Sequence, residues 1–344
     1  MKAVVWREAK TVEVTDMPEP SIIAPTDAVV KVTLTAICGT DLHPYRGHFA
    51  DFPEGTILGH EFTGIVEAVG SEVVNLKPGD RVVASDVIAC GQCWFCQLGF
   101  HYQCQDVSLF GYGEVVGSYT PGAQSEKVRV PHADVVLLPI PDELSDEDVL
   151  FVGDILATGY ACSKESHIQE GDTVVVIGGG PVGLMAVMCA QLYAPATIYV
   201  IEPNEHRHAI AREIGAIPLK PEETQRIHKH TQGRGADIVL EAVGVDATLQ
   251  QALLLVRPKG NITCVGAHSS REMPFDAEQA FAKEITLRFV VGDPIRYGKE
   301  LLALIQAGKL APKRIISHRM RLDEAVEGYH QFDRQQALKI VLAP

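Results

Sequence analysis

Three side chains with the right chemistry to share a metal ion stand far apart in this chain: Cys38, His60 and Asp154. A thiolate, an imidazole and a carboxylate form a three-donor set for a catalytic zinc, leaving a fourth position for water or substrate. His60 lies in Leu58-Gly59-His60-Glu61-Phe62-Thr63-Gly64, which continues as Ile65-Val66-Glu67-Ala68-Val69-Gly70, an alternating apolar run broken by glycines. Taken singly, each of the three is more ordinary as a core or cap residue, and Asp154 has the alternative of starting a helix over 155–162. Two further patterns raise the weight of the set.

The first is Cys90-x2-Cys93-x2-Cys96-x7-Cys104. Four thiolates at this spacing can close a tetrahedral site with no open position, which pins a loop that lacks a core of its own. An iron–sulfur cluster, a redox pair and free thiols are the rivals. No proline follows the last cysteine, and the final gap exceeds that of bacterial ferredoxin runs, so structural zinc is favoured for the lobe at about 88–106.

The second pattern is Gly178, Gly180 and Gly183 in G-x-G-x-x-G, directly after the apolar run 173–177 and opening a helix through Pro181 and Val182. Such glycines permit a tight turn and close approach of a pyrophosphate to free amides at the helix start. Glu202 follows about 20 residues on, at the end of the next strand, where a carboxylate accepts ribose hydroxyls and repels a 2′-phosphate. NAD is therefore expected rather than NADP. The alternative is a glycine turn made for packing, with Glu202 a solvated acid. Arg207 flanks the adenosine ribose or is a surface arginine, and Val265, at the end of a later strand, joins the cofactor-binding set.

The elements that carry these residues fall into two textures. Up to about residue 150 the chain is β-rich: a hairpin over 2–6 and 11–14, strands over 27–37, 63–69 and 81–84, and short strands over 122–130 and 135–138. After Pro141, Ser145 caps a helix whose first turn is acidic. From Thr173 strand and helix alternate: strands over 173–177, 197–201, 238–241, 261–265 and 286–290, helices over 181–193 and 205–214. Apolar strands between helices indicate a parallel sheet covered on both faces. The tail reads as helices over 298–307 and 322–332 and a last strand over 338–342. The expected organisation is a first domain over 1–153, a nucleotide domain over 154–290, and a segment over 291–344 that returns to the first.

Composition restricts the function. A length of 344 residues suggests two domains, and a net charge of −14 argues against nucleic-acid or anionic-membrane partners. The stretch 173–201 lacks charge, but Gly178-Gly179-Gly180-Pro181 and Ala194-Pro195 interrupt it, against a membrane span. The N-terminus meets charge too early for a secretory leader. Of eight cysteines, four crowd into one loop, which suits a cytoplasmic metal protein better than a secreted disulfide protein.

Together these motifs resemble the zinc-dependent medium-chain alcohol dehydrogenases from end to end. The likeness rests on Cys38-Gly39-Thr40-Asp41-Leu42-His43, Gly59-His60-Glu61-x2-Gly64-x5-Gly70, the four-cysteine lobe, and Gly153-Asp154-Ile155-Leu156-Ala157-Thr158-Gly159. The resemblance implies an α/β plus β architecture: a GroES-like catalytic domain, a Rossmann doubly wound domain and an active site in the cleft between them. It implies two zinc ions per subunit, a catalytic one on Cys38, His60 and Asp154 and a structural one on the four cysteines. Many relatives have cysteine at the third ligand position; aspartate matches a bacterial branch. Glu61 would be an occasional ligand and Asp41 would orient His60. Thr40 would pass the alcohol proton through the nicotinamide ribose to His43, while His48 is read as an exposed loop histidine. The implied reaction is reversible oxidation of an alcohol to an aldehyde or ketone with NAD, in a homotetramer or a dimer. Asp86 falls where many relatives carry a bulky pocket residue. It either makes the pocket polar, favouring a polyol or threonine dehydrogenase, or points to solvent. A formaldehyde dehydrogenase is a further alternative, as are a zinc-free quinone reductase relative and a non-catalytic nucleotide-binding protein.

Overall fold

A computed structural model of the chain describes residues 1–268, 270–273 and 275–344. It divides into two units, the first made of Met1–Asp154, Asp293–Gly308 and Ile316–Pro344, the second of Ile155–Gly292 and Lys309–Ile315.

The first unit is organised on the strand Ala28–Ile37, whose sequence AVVKVTLTAI is rich in β-branched residues and almost wholly buried. It pairs antiparallel with Phe62–Val69 on one side and with Ile340–Ala343 and Lys127–Val130 on the other. The sheet extends through Arg81–Ala84 to Leu137–Pro139, and at the far edge His318–Arg321 lies parallel to Ile340–Ala343. One core gathers Val30, Val32, Phe62, Val66 and Val82; another gathers Trp6, Ile37, Leu58, Tyr329 and Ile340. Lys2–Glu8 and Thr11–Asp16 form the expected hairpin.

Two local expectations in this unit need correction. Residues 135–138 do not form one strand: a helical turn, Ala133–Val136, precedes a short strand, Leu137–Pro139. His132 adopts φ 49°, and the Asp134 carboxylate accepts the amides of Val74 (2.8 Å) and Asn75 (2.9 Å), so tertiary hydrogen bonds override the β-branched run. In 122–130 only Lys127–Val130 is strand. The amides of Gly122 and Gln124 instead bond Ile57 and Leu58 carbonyls, beside His60.

The second unit is a six-stranded parallel sheet. Its strands lie in the order Ile217–Leu219, Thr197–Ile201, Thr173–Ile177, Ala236–Glu241, Val256–Cys264, Thr286–Phe289. Thr173–Ile177 is buried at every position, which explains its unbroken apolar sequence. The direction of strand addition reverses between it and Ala236–Glu241, where such sheets open a crevice at their carboxyl ends. The segment 291–344 does not return to the first unit as one piece. Lys309–Ile315 belongs to the second, with Ile315 buried and its turn packed on the helix Pro181–Ala190. Asp154 groups with the first unit rather than with the nucleotide-binding one. No helix among the described residues is long and apolar enough to cross a membrane.

Candidate metal and dinucleotide sites

Cys38 follows the last residue of Ala28–Ile37, and His60 and Glu61 directly precede Phe62–Val69. Antiparallel pairing of these strands brings the two ends together. Asp154 ends the 3-10 turn Leu150–Gly153, ahead of the helix Ile155–Glu165. Its Oδ2 lies 3.3 Å from Cys38 Sγ and 3.3 Å from His60 Nε2. The three donors, 116 positions apart at their extremes, form one cluster.

The imidazole of His60 is 1% exposed, and neither of its nitrogens has an aligned hydrogen bond. Nε2 faces Asp154, and Nδ1 lies 3.2 Å from Asp41 Oδ1. A buried imidazole left in this state beside a thiol and a carboxylate fits a metal ion, because a cation satisfies all three donors at once. Asp41 Oδ2 accepts the Cys38 amide (2.9 Å) and Gln124 Nε2 (3.1 Å), and Gln124 Oε1 accepts the Tyr329 hydroxyl (2.8 Å). Gln124 and Tyr329, both fully buried, were not singled out in the sequence.

Glu61 lies outside the three-donor cluster. Its Oε2 forms an ion pair with Lys339 Nζ, both side chains fully buried. Burial pushes the Glu61 carboxyl up, and Lys339 opposes that shift. A lysine this deep needs a counter-charge, and Glu61 supplies it. The occasional ligand expected from the resemblance is therefore committed elsewhere in this structure.

Thr40 Oγ1 stands 3.9 Å from Cys38 Sγ. His43 is half-buried, with its Nδ1 3.1 Å from Nδ1 of the exposed His48. Burial, then the neighbouring His48 and Arg46, hold His43 below the usual imidazole value. Asp86 does not point away into solvent. Its Oδ1 is sealed and has no hydrogen-bond partner, and burial, then the charge of Asp154, raise its carboxyl well above the ordinary range.

Cys90, Cys93, Cys96 and Cys104 converge, with all four sulfurs within 4.8 Å of one another and none in a disulfide. The Cys90 amide points at Cys104 Sγ (3.3 Å) and the Cys93 amide at Cys90 Sγ (3.3 Å). Backbone amides of Cys96 and Gln105 lower the Cys93 thiol to about 6. N–H groups aimed at sulfur suit thiolates, and four of them suit a closed zinc site. One carboxylate, Asp293, fastens the lobe. It accepts the His101 amide (3.0 Å), faces His101 Nδ1 (2.9 Å) and caps the helix Pro294–Gln306 through the Arg296 amide.

In the second unit Gly178 has φ +97°, and a Cβ on Gly183 would stand 1.9 Å from the Gly178 carbonyl. Turn and close packing thus require these two glycines. Pro181 occupies the first turn of Pro181–Ala190, and Gly180, at its N-cap, offers no side-chain cap, so Val182 and its neighbours leave amides for an anion. Glu202 is 3% exposed; its Oε2 accepts the Gly179 amide (2.9 Å) and Arg207 Nη1 (3.1 Å). The Val265 amide donates to the Glu241 carbonyl (2.8 Å) at the end of the neighbouring strand.

The chain is similar to known proteins over its whole length. The pattern described as "Alcohol dehydrogenase GroES-like domain" matches residues 24–142, and that described as "Zinc-binding dehydrogenase" matches 181–307. An alcohol dehydrogenase of Cupriavidus necator is 35% identical, the alignment covering 100% of this chain and 99% of the relative. A sorbitol dehydrogenase of Bacillus subtilis is 31% identical, covering 100% and 97%. The solved structure of alcohol dehydrogenase TADH from Thermus sp. ATN1 superposes with a TM-score of 0.95 at 41% identity, covering 100% of this chain and 99% of that one.

Proposed function

Because the chain belongs to the zinc-dependent medium-chain alcohol dehydrogenases, we propose that it oxidises a primary or secondary alcohol reversibly to the aldehyde or ketone, with NAD as hydride acceptor. The observation that carries this reading is the buried cluster of Cys38, His60 and Asp154, with an imidazole left unsatisfied at its centre. These three would hold the catalytic zinc, and the four-cysteine lobe a second, structural one. Bound there, zinc supplies Lewis acidity that brings a substrate hydroxyl within reach of neutral-pH ionisation.

The protein's own groups do the rest. Asp41 keeps the His60 proton on Nδ1, so that Nε2 is free to ligate. Thr40, beside Cys38, accepts the proton leaving the alcohol. His43 stays neutral near pH 7 because its pKa is lowered, and it can take that proton and release it through exposed His48. Glu202, held by the Gly179 amide, supports NAD over NADP: a 2′-phosphate would meet a buried carboxylate.

Asp86 favours a second reading. A partly buried carboxyl beside Asp154 suits a substrate that carries a further hydroxyl. The similarity to a sorbitol dehydrogenase points the same way. The edge strand Thr286–Phe289, with Phe289 53% exposed, and the preceding helix Ala277–Lys283, with Phe281 86% exposed, support assembly into a homotetramer or dimer. Acidity and free thiols support a cytoplasmic setting.

The test is reduction of NAD and of NADP against simple alcohols, polyols, threonine and formaldehyde, before and after chelation. Chelator-sensitive turnover of simple alcohols with NAD is the expected result. Turnover confined to polyols that is lost in Asp86→Ala would establish the second reading. Full activity in a metal-free protein would overturn both.

A further inference from the structure

A third set of donors lies in the second unit, distinct from both clusters above and beside Val265, whose amide bonds the Glu241 carbonyl. The strands Ala236–Glu241 and Val256–Cys264 are parallel neighbours, and their register places Glu241 opposite Cys264. Both side chains are buried, at 0% and 1% exposure. Four residues later the chain brings His268 back over them, its Nε2 3.1 Å from Glu241 Oε2. One donor atom from each of the three, carboxylate oxygen, thiol sulfur and imidazole nitrogen, lies within 4.8 Å of the others.

The carboxylate is held in place before any ion arrives. Glu241 Oε1 accepts the amides of Val243 (2.8 Å) and Gly244 (2.9 Å) and the Thr248 hydroxyl (2.8 Å), which leaves Oε2 turned toward His268. The backbone is fixed as well, since the amides of Val265 and Gly266 both donate to the Glu241 carbonyl. Phe289 meets the His268 ring edge-on at 5.7 Å. Hydrogen bonds behind a ligand that set its orientation are the arrangement metal sites use. Tetrahedral bonds of the usual zinc lengths separate ligand atoms by roughly 3.3–3.8 Å, so the cluster needs only a small contraction to close.

We propose that Glu241, Cys264 and His268 form a further site for a divalent ion of the zinc class, with one position open to solvent or a small ligand. The donor types decide the class. One thiolate and one imidazole select zinc, cobalt(II) or cadmium over magnesium or calcium, which take oxygen donors. Binding exchanges the His268–Glu241 contact and the thiol S–H bond for three bonds to the ion; the imidazole proton moves from Nε2 to Nδ1, and one proton is released from sulfur to solvent. The site stands at the carboxyl end of the strand beside Thr173–Ile177, next to the crevice where the sheet reverses its order.

The experiment titrates cobalt(II) into the full-length protein carrying its resident zinc, with zinc content measured throughout to show that none is displaced. The expected result is one additional equivalent of cobalt, with a thiolate-to-cobalt band in the near ultraviolet that excess zinc bleaches. Cys264→Ser should lose that band, and both Cys264→Ser and His268→Ala should lose the extra equivalent. Both should retain the resident zinc and the parent circular-dichroism spectrum, which separates loss of a ligand from loss of the fold. No extra equivalent in the parent protein would overturn the proposal and leave His268 and Glu241 as a structural hydrogen bond. So would an extra equivalent that persists in both variants.

Discussion

Replacing Asp41 with asparagine tests how the buried imidazole is set up for a metal. In the parent, Asp41 Oδ2 takes two N–H donors, the Cys38 amide at 2.9 Å and Gln124 Nε2 at 3.1 Å, while Oδ1 faces His60 Nδ1 at 3.2 Å. A carboxylate there places the imidazole proton on Nδ1 and leaves the Nε2 lone pair facing Asp154. Asparagine keeps the shape but has one acceptor and an NH2 group. If its oxygen meets the two donors, the NH2 faces Nδ1, which must then accept. The proton moves to Nε2, the nitrogen that should ligate. If the amide turns over, two buried donors go unmet, at about 1–3 kcal/mol each. The milder course still removes the charged acceptor that faces Nδ1, a loss comparable to that of a hydrogen bond to a charged group, about 1.5–3 kcal/mol. That is about 10- to 150-fold in affinity for the ion on Cys38, His60 and Asp154. The assay is zinc release to a chromophoric chelator, which resolves this equivalent from the four-thiolate one. Only the first should weaken, and kcat/KM should fall with it. A change below about threefold, or equal weakening of both equivalents, would refute the tautomer argument.

Three further outcomes are expected. Lys339→Met strands the Glu61 carboxylate among Cys38 and Asp154 and should destabilise the first unit by about 3–5 kcal/mol, with Glu61→Gln added to it recovering most of the loss. Trp6 and Trp94, the chain's two tryptophans, both lie in that unit, so denaturant titration followed by their fluorescence reads it alone. Glu202→Ala should raise the NADP-to-NAD ratio of kcat/KM by about tenfold or more, since Arg207 loses its partner and a 2′-phosphate loses an opposing charge; an unchanged ratio would remove Glu202 from cofactor choice. Burial pushes the Asp237 carboxyl up, but the Arg257 guanidinium (2.6 Å) and the Thr173 amide (2.8 Å) outweigh it, and the group sits below the usual carboxylate range. Its stabilisation is thus complete above about pH 4 and is lost as pH falls through the folded value. Asp237→Asn should cost about 1.5–3 kcal/mol at pH 7 and progressively less in acid, measured by circular dichroism.

Most of what the sequence disclosed was local. The four-cysteine spacing, the glycine turn after 173–177 and the Ser145 cap each sit within a short window, and the structure forms each one, Ser145 as a capping box with Asp148. Cys38, His60 and Asp154 were identifiable as types, but their convergence depends on strand pairing that no spacing records. Lys339 escaped notice for the same reason. In Ala337-Leu338-Lys339-Ile340 a lone lysine reads as an outward-facing strand residue, and its partner Glu61 is 278 positions away. A charge at an inward register of an apolar strand was the available signal. Gln124 and Tyr329 had none, because their hydrogen bonds bridge separate segments. Ile217–Leu219 was obscured by Pro218, which a strand tolerates at the sheet edge where this one lies.

The discontinuous first unit has a consequence for synthesis. The sheet of the second unit is built within one continuous stretch, Ile155–Gly292, and can form while translation is still under way. The first unit has to wait. Ile340–Ala343 supplies an inner strand beside Ala28–Ile37, and Lys339 neutralises Glu61, so neither exists until residues 339–343 leave the ribosome. The residues proposed to bind zinc emerge early and acquire their finished surroundings last. Termination before Lys339 would therefore yield a chain with an intact nucleotide-binding sheet and a metal cluster flanked by an unpaired buried charge.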